Sequence, residues 1–239
     1  SIFFWIKKTE KPTIEFIEKS AIKITFLLYF LIIVLITEDL YLQKNKKMAI
    51  KILGIESSCD ETSAAVTSNS TVLSNIIANQ DVHEKYGGVV PELASRAHQV
   101  NIIPVVNMAL EKAGINKKDL NAIAYTRGPG LLGSLLVGGS FAKSLSLSLN
   151  IPLIEVNHMQ AHLLAHFIED NCDVKTDFPF LGVNISGGHT QIVYCKNYFD
   201  MEIIGETLDD SIGEAFDKCG KMLGLKYPAG PKINKLANE

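Results

Sequence analysis

The chain has 239 residues and a mass of 26.3 kDa, enough for one or two domains with a buried core. An apolar content of 47% excludes global disorder, and a net charge of −3, from 23 Lys and Arg against 26 Asp and Glu, excludes a strongly basic nucleic-acid binder, though not a local basic patch. The four cysteines, Cys59, Cys172, Cys195 and Cys219, form no CxxC pair, so a zinc knuckle or redox dithiol is not indicated and a reduced, cytoplasmic chain fits better.

Residues 1–47 differ from the rest. Their eight lysines and five acids sum to +3, which leaves −6 for residues 48–239. Residues 24–36, ITFLLYFLIIVLI, are an uncharged apolar run of 13, shorter than the roughly 18 a bilayer span needs. Lysines precede this run as in a signal peptide, but no small-x-small cleavage pattern follows it. The segment is expected to be an extension outside the catalytic domain. Met48, followed directly by the strand-like AIKILGIE, has the form of a natural start.

From there the pattern predicts strands at 50–56, 63–67 and 71–79, a meander of hairpins. A long helix follows at 92–113, which Pro104 should bend or divide and Gly114 should close. A buried strand at 121–125 leads through the glycine-rich turn TRGPGLLGS into a small-residue helix at 134–149. A strand at 152–156 precedes a helix at 158–168 that carries three histidines. Residues 171–179 read as a linker. Beyond it the opening pattern recurs: strand 180–185, turn SGGHT, strand 191–195, a third strand near 201–205, then a helix at 209–223 and the start of another within YPAGPKINKLANE. The partial echo predicts two duplicated α/β domains, 48–170 and 178–239, with the second incomplete; about 80 to 100 further residues would complete it.

The sharpest chemical signal is NHMQAHLLAH. His158 and His162 stand four apart on a helix, so both imidazoles share a face, a spacing that suits two ligands of one transition metal or zinc. His166 is rotated further round. The pattern is not HExxH, because Met159 and Gln160 follow the first histidine where a zincin has its glutamate base, and a third ligand must come from elsewhere. Surface or core histidines are the plain alternative. The SGGHT turn at 186–190 is either a simple hairpin or a cradle of backbone N–H groups for an oxyanion. GPGLLG at 128–133 matches no dinucleotide or phosphate-loop pattern, and close helix packing is its ordinary reading. Glu56, Asp60 and Glu61 at the end of the first strand either face a cleft or cap a turn. In the helix from 209, Ile212, Phe216 and Leu223 are expected to point to a core, while Asp217 on the polar stripe could reach a ribose hydroxyl. His83, Tyr86, Arg96 and His98 surround a Gly-Gly hinge that could meet a polyanion or a partner protein. Cys59 lies in a turn without an evident base, and no GxSxG elbow exists.

Six stretches together closely resemble the universal tRNA N6-adenosine threonylcarbamoyltransferases, called TsaD in bacteria and formerly labelled O-sialoglycoprotein endopeptidases. They are GIESSCDETSAAV (54–66), HEKYGGVVPELASRAH (83–98), AYTRGPGLLGSLLVGGSFAKSL (124–145), NHMQAHLLAH (157–166), SGGHTQIV (186–193) and DDSIGEAFDKCGKMLGLKYPAGP (209–231). The resemblance implies an ASKHA fold, the actin/hexokinase/Hsp70 type, with duplicated domains around a nucleotide cleft. It implies transfer of the threonylcarbamoyl group of threonylcarbamoyl-adenylate to N6 of adenosine 37 in tRNAs that read ANN codons. By the same likeness His158 and His162 ligate a metal, Fe2+ in preference to Zn2+. Ile185, Ser186, Gly187, Gly188, His189, Asp217 and Gly230 match positions that contact the adenylate. No residue is assigned as a covalent nucleophile or general base. tRNA, the inactive paralogue TsaB and the ATPase subunit TsaE are the implied partners, the cytoplasm is the implied location, and no stable membrane partner is expected.

Gln160 stands where many relatives have an acid, and Ala229 replaces the first glycine of the usual YPGGP. Relatives resemble chains about 100 residues longer, carrying a later asparagine for the nucleotide and a late aspartate for the metal. The chain is therefore expected to be inactive or unstable alone, with an unpaired sheet edge and an exposed apolar face. A glycoprotein endopeptidase and a catalytically dead structural partner are the competing readings. The missing glutamate base argues against the first and the retained histidines against the second.

Overall fold

The computed structural model describes residues 2–7, 13–17, 49–80, 83, 86–168 and 177–238. The apolar run 24–36, residues 171–176 of the expected linker and Cys172 lie outside the described residues. Contacts divide the chain into two compact units, one formed by 23–80 and 89–175, the other by 1–22, 81–88 and 176–239.

The first unit is built on strands β3 (Lys51–Glu56), β4 (Thr62–Ser68), β5 (Thr71–Ala78), β6 (Ala122–Gly128) and β7 (Leu153–Asn157). Their order is β5-β4-β3-β6-β7, with the first three antiparallel and β6 and β7 parallel to β3. Three hairpin-linked strands followed by two helix-linked parallel ones make the mixed α/β unit that the order of strands and helices predicts. β3, with a neighbour on each side, is buried along almost its whole length, which is why IKILGIE is a continuous apolar run.

Helix α1 (Pro91–Ala113) lies over this sheet, and its Ile102, Val105 and Val106 pack with Leu53, Ile55 and Ile123. Pro104 does not divide the helix. The N–H that proline lacks would have served the carbonyl of Val100, and Val100 is exposed to solvent, so that carbonyl needs no intrahelical partner. Gly114, at φ 67°, ends the helix in the left-handed conformation. Helix α2 (Leu132–Leu149) is long and apolar enough by composition to cross a membrane, but it packs on the sheet through Ala142 and its glycines.

In the second unit β8 (Phe180–Ile185), β9 (Thr190–Cys195) and β10 (Met201–Glu206) repeat the antiparallel meander. Helices α4 (Ile212–Met222) and α5 (Gly230–Ala237) follow. The free side of β8, where β3 holds the parallel β6, carries β1 (Ile2–Lys7), paired antiparallel from Ile2↔Ile185 to Ile6↔Leu181, with β2 (Thr13–Ile17) outside it. These strands fall in the segment expected to lie outside the catalytic domain. The sequence predicts an unpaired sheet edge without naming a strand; here the free side of β8 is paired, as happens wherever an open row of N–H and C=O groups is available.

The apolar face is exposed, as expected: Ile203 and Ile204 on β10 are each 55% exposed and Leu208 is 98%. Ile212, Phe216 and Leu223, expected to point to a core, are instead 40%, 43% and 72% exposed. Helix α4 comes closest to its neighbours at two glycines. A Cβ on Gly213 would stand 2.5 Å from the Ser186 carbonyl oxygen, and Gly220 lies directly against Ala229. That contact face leaves the apolar one uncovered among the described residues.

Candidate functional site

The first unit gathers its polar groups at the carboxyl ends of its three parallel strands, where ligands of open α/β sheets bind. β3 ends at Glu56, β6 delivers Thr126, and β7 runs directly into helix α3 (His158–Leu164). Asn157 starts that helix, its Oδ1 accepting from the N–H groups of Met159 at 2.9 Å and Gln160 at 3.1 Å. The α-helix is shorter than the predicted 158–168, passing into a 3-10 turn at Ala165–Phe167, so His166 leaves the line of the other two histidines.

His158 and His162 come together as the spacing predicts. Their Nε2 atoms are 3.0 Å apart, with the rings edge to face. Two nitrogens each about 2.0–2.1 Å from a tetrahedral metal stand roughly 3.3 Å apart, so the pair fits two positions of such a site. Among the described residues no third His, Cys, Asp or Glu completes it. Gln160 and Met159 put no carboxylate between the histidines, and nothing in the helix supplies a peptidase base.

Behind His158 lies Glu56, 8% exposed. Its Oε2 is 3.2 Å from His158 Nδ1 and accepts from the Thr126 hydroxyl at 2.7 Å, and its Oε1 accepts from the Ser58 N–H. Burial alone would raise the Glu56 carboxyl, but the His158 charge and these hydrogen bonds outweigh it and bring it to about 2. Burial lowers His158, and the Glu56 carboxylate more than compensates, so the ring is raised.

The neighbouring carboxylate behaves oppositely. Burial, then the charges of Asp60 and Glu56, raise Glu61 from 4.5 to about 7. Between these values the folded chain holds a proton that the unfolded chain releases, so stability falls as pH rises from 4.5 to 7 and then levels. Glu61→Gln should remove that fall. At pH 7.5 it should be more stable than the unaltered chain, by about 1 kcal/mol because part of the side chain remains in water. Thermal melts across this pH range check it, and equal slopes for the two proteins would contradict it.

Loop 57–59 is gripped from two sides. Leu131 N donates to the Ser58 carbonyl at 2.7 Å, and a Cβ on Gly130 would lie 2.5 Å from the same oxygen. GPGLLG thus serves close packing, its ordinary reading. His98, fully buried, donates from Nε2 to the Cys59 carbonyl at 3.0 Å and accepts from the Thr62 hydroxyl at 2.7 Å. Arg96 pairs with Glu92 at 2.7 Å on the surface, and His83 is buried. Sequence reasoning missed His98's role because its signal, a histidine on the apolar side of a helix, does not reveal its partners. Cys59 is exposed on one side, yet its partial enclosure and then Asp60 and Glu56 push the thiol up to about 12, so it is no nucleophile at neutral pH.

In the second unit the SGGHT turn is a hairpin joined to α4. Ser186 Oγ accepts from the N–H of His189 at 2.9 Å and of Gly188 at 3.3 Å, two of the backbone donors that an oxyanion cradle would use. The Ser186 carbonyl accepts from Gly213 N at 3.1 Å, and the Gly187 carbonyl accepts from Ser211 Oγ at 2.8 Å. Ile185 ends β8 beside this turn. Asp217 Oδ1 accepts from Ala229 N at 2.7 Å, holding the loop before Gly230, which opens α5. The unit therefore ties Ser186, Gly187, Asp217 and Gly230 to the same helix α4.

The family model of TsaD, tRNA N6-adenosine threonylcarbamoyltransferase, matches residues 71–239. A tRNA N6-adenosine threonylcarbamoyltransferase of Christiangramia forsetii is 70% identical over 190 residues, covering 80% of this chain and 56% of that protein. One from Porphyromonas gingivalis is 63% identical over 195 residues, covering 81% and 57%. The chain thus spans just over half the length of these relatives. Among solved structures, YeaZ from Pseudomonas aeruginosa aligns at 17% identity and a TM-score of 0.42, covering 66% of each chain.

Proposed function

The chain belongs to the tRNA N6-adenosine threonylcarbamoyltransferase family, and from that premise we propose that it carries the metal-binding half and part of the adenylate-binding half of such an enzyme. The observation that carries this reading is the convergence of His158 and His162 Nε2 at 3.0 Å on the carboxyl side of the sheet. The reaction joins N6 of adenosine 37 to the threonylcarbamoyl carbon, breaks that carbon's bond to the adenylate phosphate, and releases AMP and the N6 proton. His158 and His162 would hold the ion, iron in preference to zinc. When bound, it supplies Lewis acidity toward the carbonyl or carboxylate oxygens.

The remaining work is binding and orientation. Ile185, Ser186, Gly187, Gly188 and His189 would line the adenylate on the hairpin side. Asp217 and Gly230 would flank it from α4 and α5, with Asp217 bracing the loop through Ala229 N. Family membership supports tRNA as the acceptor; TsaB and TsaE as partners and the cytoplasm as location are part of the same proposal. The test is formation of N6-threonylcarbamoyladenosine in an ANN-decoding tRNA, read by nucleoside mass spectrometry. The protein is purified with its partner subunits and given threonylcarbamoyl-adenylate. Modified nucleoside that disappears in His158→Ala supports the reading. No product with the unaltered protein counts against autonomous activity of this chain, and product insensitive to His158→Ala counts against the metal-centred site.

A further inference from the structure

We propose that Glu56 is a positioning residue for His158, fixing the ring orientation and tautomer so that Nε2 is the nitrogen offered to a metal. The inference rests on the reading of His158 and His162 as ligands. An ionised carboxylate only accepts hydrogen bonds, so the hydrogen shared by Glu56 Oε2 and His158 Nδ1 across 3.2 Å belongs to the imidazole. A neutral ring with its proton on Nδ1 carries its lone pair on Nε2, the atom 3.0 Å from His162 Nε2. The Ser58 hydroxyl, 3.2 Å from the same Nδ1, is free to act as a second acceptor and does not oppose this tautomer.

What makes Glu56 suited to this task is that it is itself held. It is the last residue of a central strand, its backbone registered opposite Ser63 of β4, and β3 is paired to β6 on the other side. Its two oxygens are engaged by the Ser58 N–H and the Thr126 hydroxyl, one donor from the following turn and one from the adjacent strand. A carboxylate locked by two elements and facing a ring on a third transmits the sheet's rigidity to the ligating atom. Such outer partners of metal-binding histidines fix ring orientation and raise ligand basicity, and their loss lowers metal affinity about 10- to 100-fold.

The experiment compares the full chain with Glu56→Gln. Long-range proton–nitrogen NMR on metal-free protein, at alkaline pH where the rings are neutral, reads the His158 tautomer, and calorimetric titration with zinc alone reads affinity. The unaltered chain should show the proton on Nδ1. In Glu56→Gln the side-chain amide can turn its NH2 toward Nδ1, so a population with the proton on Nε2 should appear and zinc affinity should fall about 10- to 100-fold. A merely structural role for Glu56 would not move the tautomer. The proposal is overturned if the unaltered chain carries the proton on Nε2, or if Glu56→Gln keeps both tautomer and affinity. Absence of zinc binding to the unaltered chain would overturn the metal reading instead, while the tautomer shift still decides the role of Glu56. Should Glu56→Gln fail to fold, the tautomer in the unaltered chain decides alone.

Discussion

Replacing His158 or His162 with alanine should reduce zinc affinity of the chain by about 100-fold or more, a larger loss than removal of an outer-sphere partner produces. Two imidazoles of one helix chelate because α3 holds them at a fixed separation; a single imidazole leaves one bond and no chelate. Neither substitution should unfold the first unit. Its larger core is formed by Leu53, Ile55, Ile123 and the buried face of α1, while α3 packs against Ile52, Ala124 and Val156 through Ala161, and neither histidine belongs to either apolar cluster. Titration of each variant with zinc, beside a circular dichroism spectrum, separates the two effects. Full affinity in either variant would place the ion elsewhere in the chain. His166→Ala should leave affinity unchanged, because the 3-10 turn takes that residue out of line.

Gly138→Val should destabilise the first unit by about 3 kcal/mol or more, at the upper end of what overpacking costs. Gly138 lies where α2 meets the end of β3. A Cβ there would stand 3.1 Å from Ser57 Cβ and closer still to Ser57 Oγ, with Ile55 Cγ2 at 3.7 Å. Ser57 cannot turn away cheaply, since it is buried and its Oγ donates to the Ser134 carbonyl at 2.8 Å. The displacement would pass to Ser58, and through it to the Glu56–His158 contact. Gly133→Ala is the control. There the Cβ meets the Oγ of half-buried Ser95, which can rotate only by giving up its bond to the Pro91 carbonyl, and Ser95 Cβ at 3.3 Å, so the change should cost far less than at Gly138. Chemical denaturation should place Gly133→Ala close to the unaltered chain and Gly138→Val well below both. A Gly138→Val midpoint equal to that of the unaltered chain would show that α2 stands further from β3 than described.

Much of this molecule was legible in order along the chain. The three-strand meander of 51–78, the long helix closed by Gly114 and the repeat at 180–206 follow from apolar periodicity and turn residues, which act within a few positions. The His158–His162 pair was legible for the same reason: helical spacing alone puts i and i+4 on one face. The six family stretches fixed the kinship. What the sequence could not state was which distant side chains meet. Glu56 was one of three acids at a strand end, and the structure separated them. Glu56 turns inward to His158, 102 positions away, and falls to about 2, while Glu61 rises to about 7. Their pKa values depend on burial and neighbours brought by other strands. Likewise two SGGHT donors turned onto Ser186 Oγ, and the apolar side of α4 stayed exposed while its other side meets its neighbours at Gly213, Asp217 and Gly220. The pairing of β1 with β8 belongs to the same class, since an open strand edge accepts whichever segment reaches it in register. Local spacing determined the elements and the histidine pair; long-range pairing, where backbone and side-chain hydrogen bonds cross between strands, decided charge, tautomer and exposure.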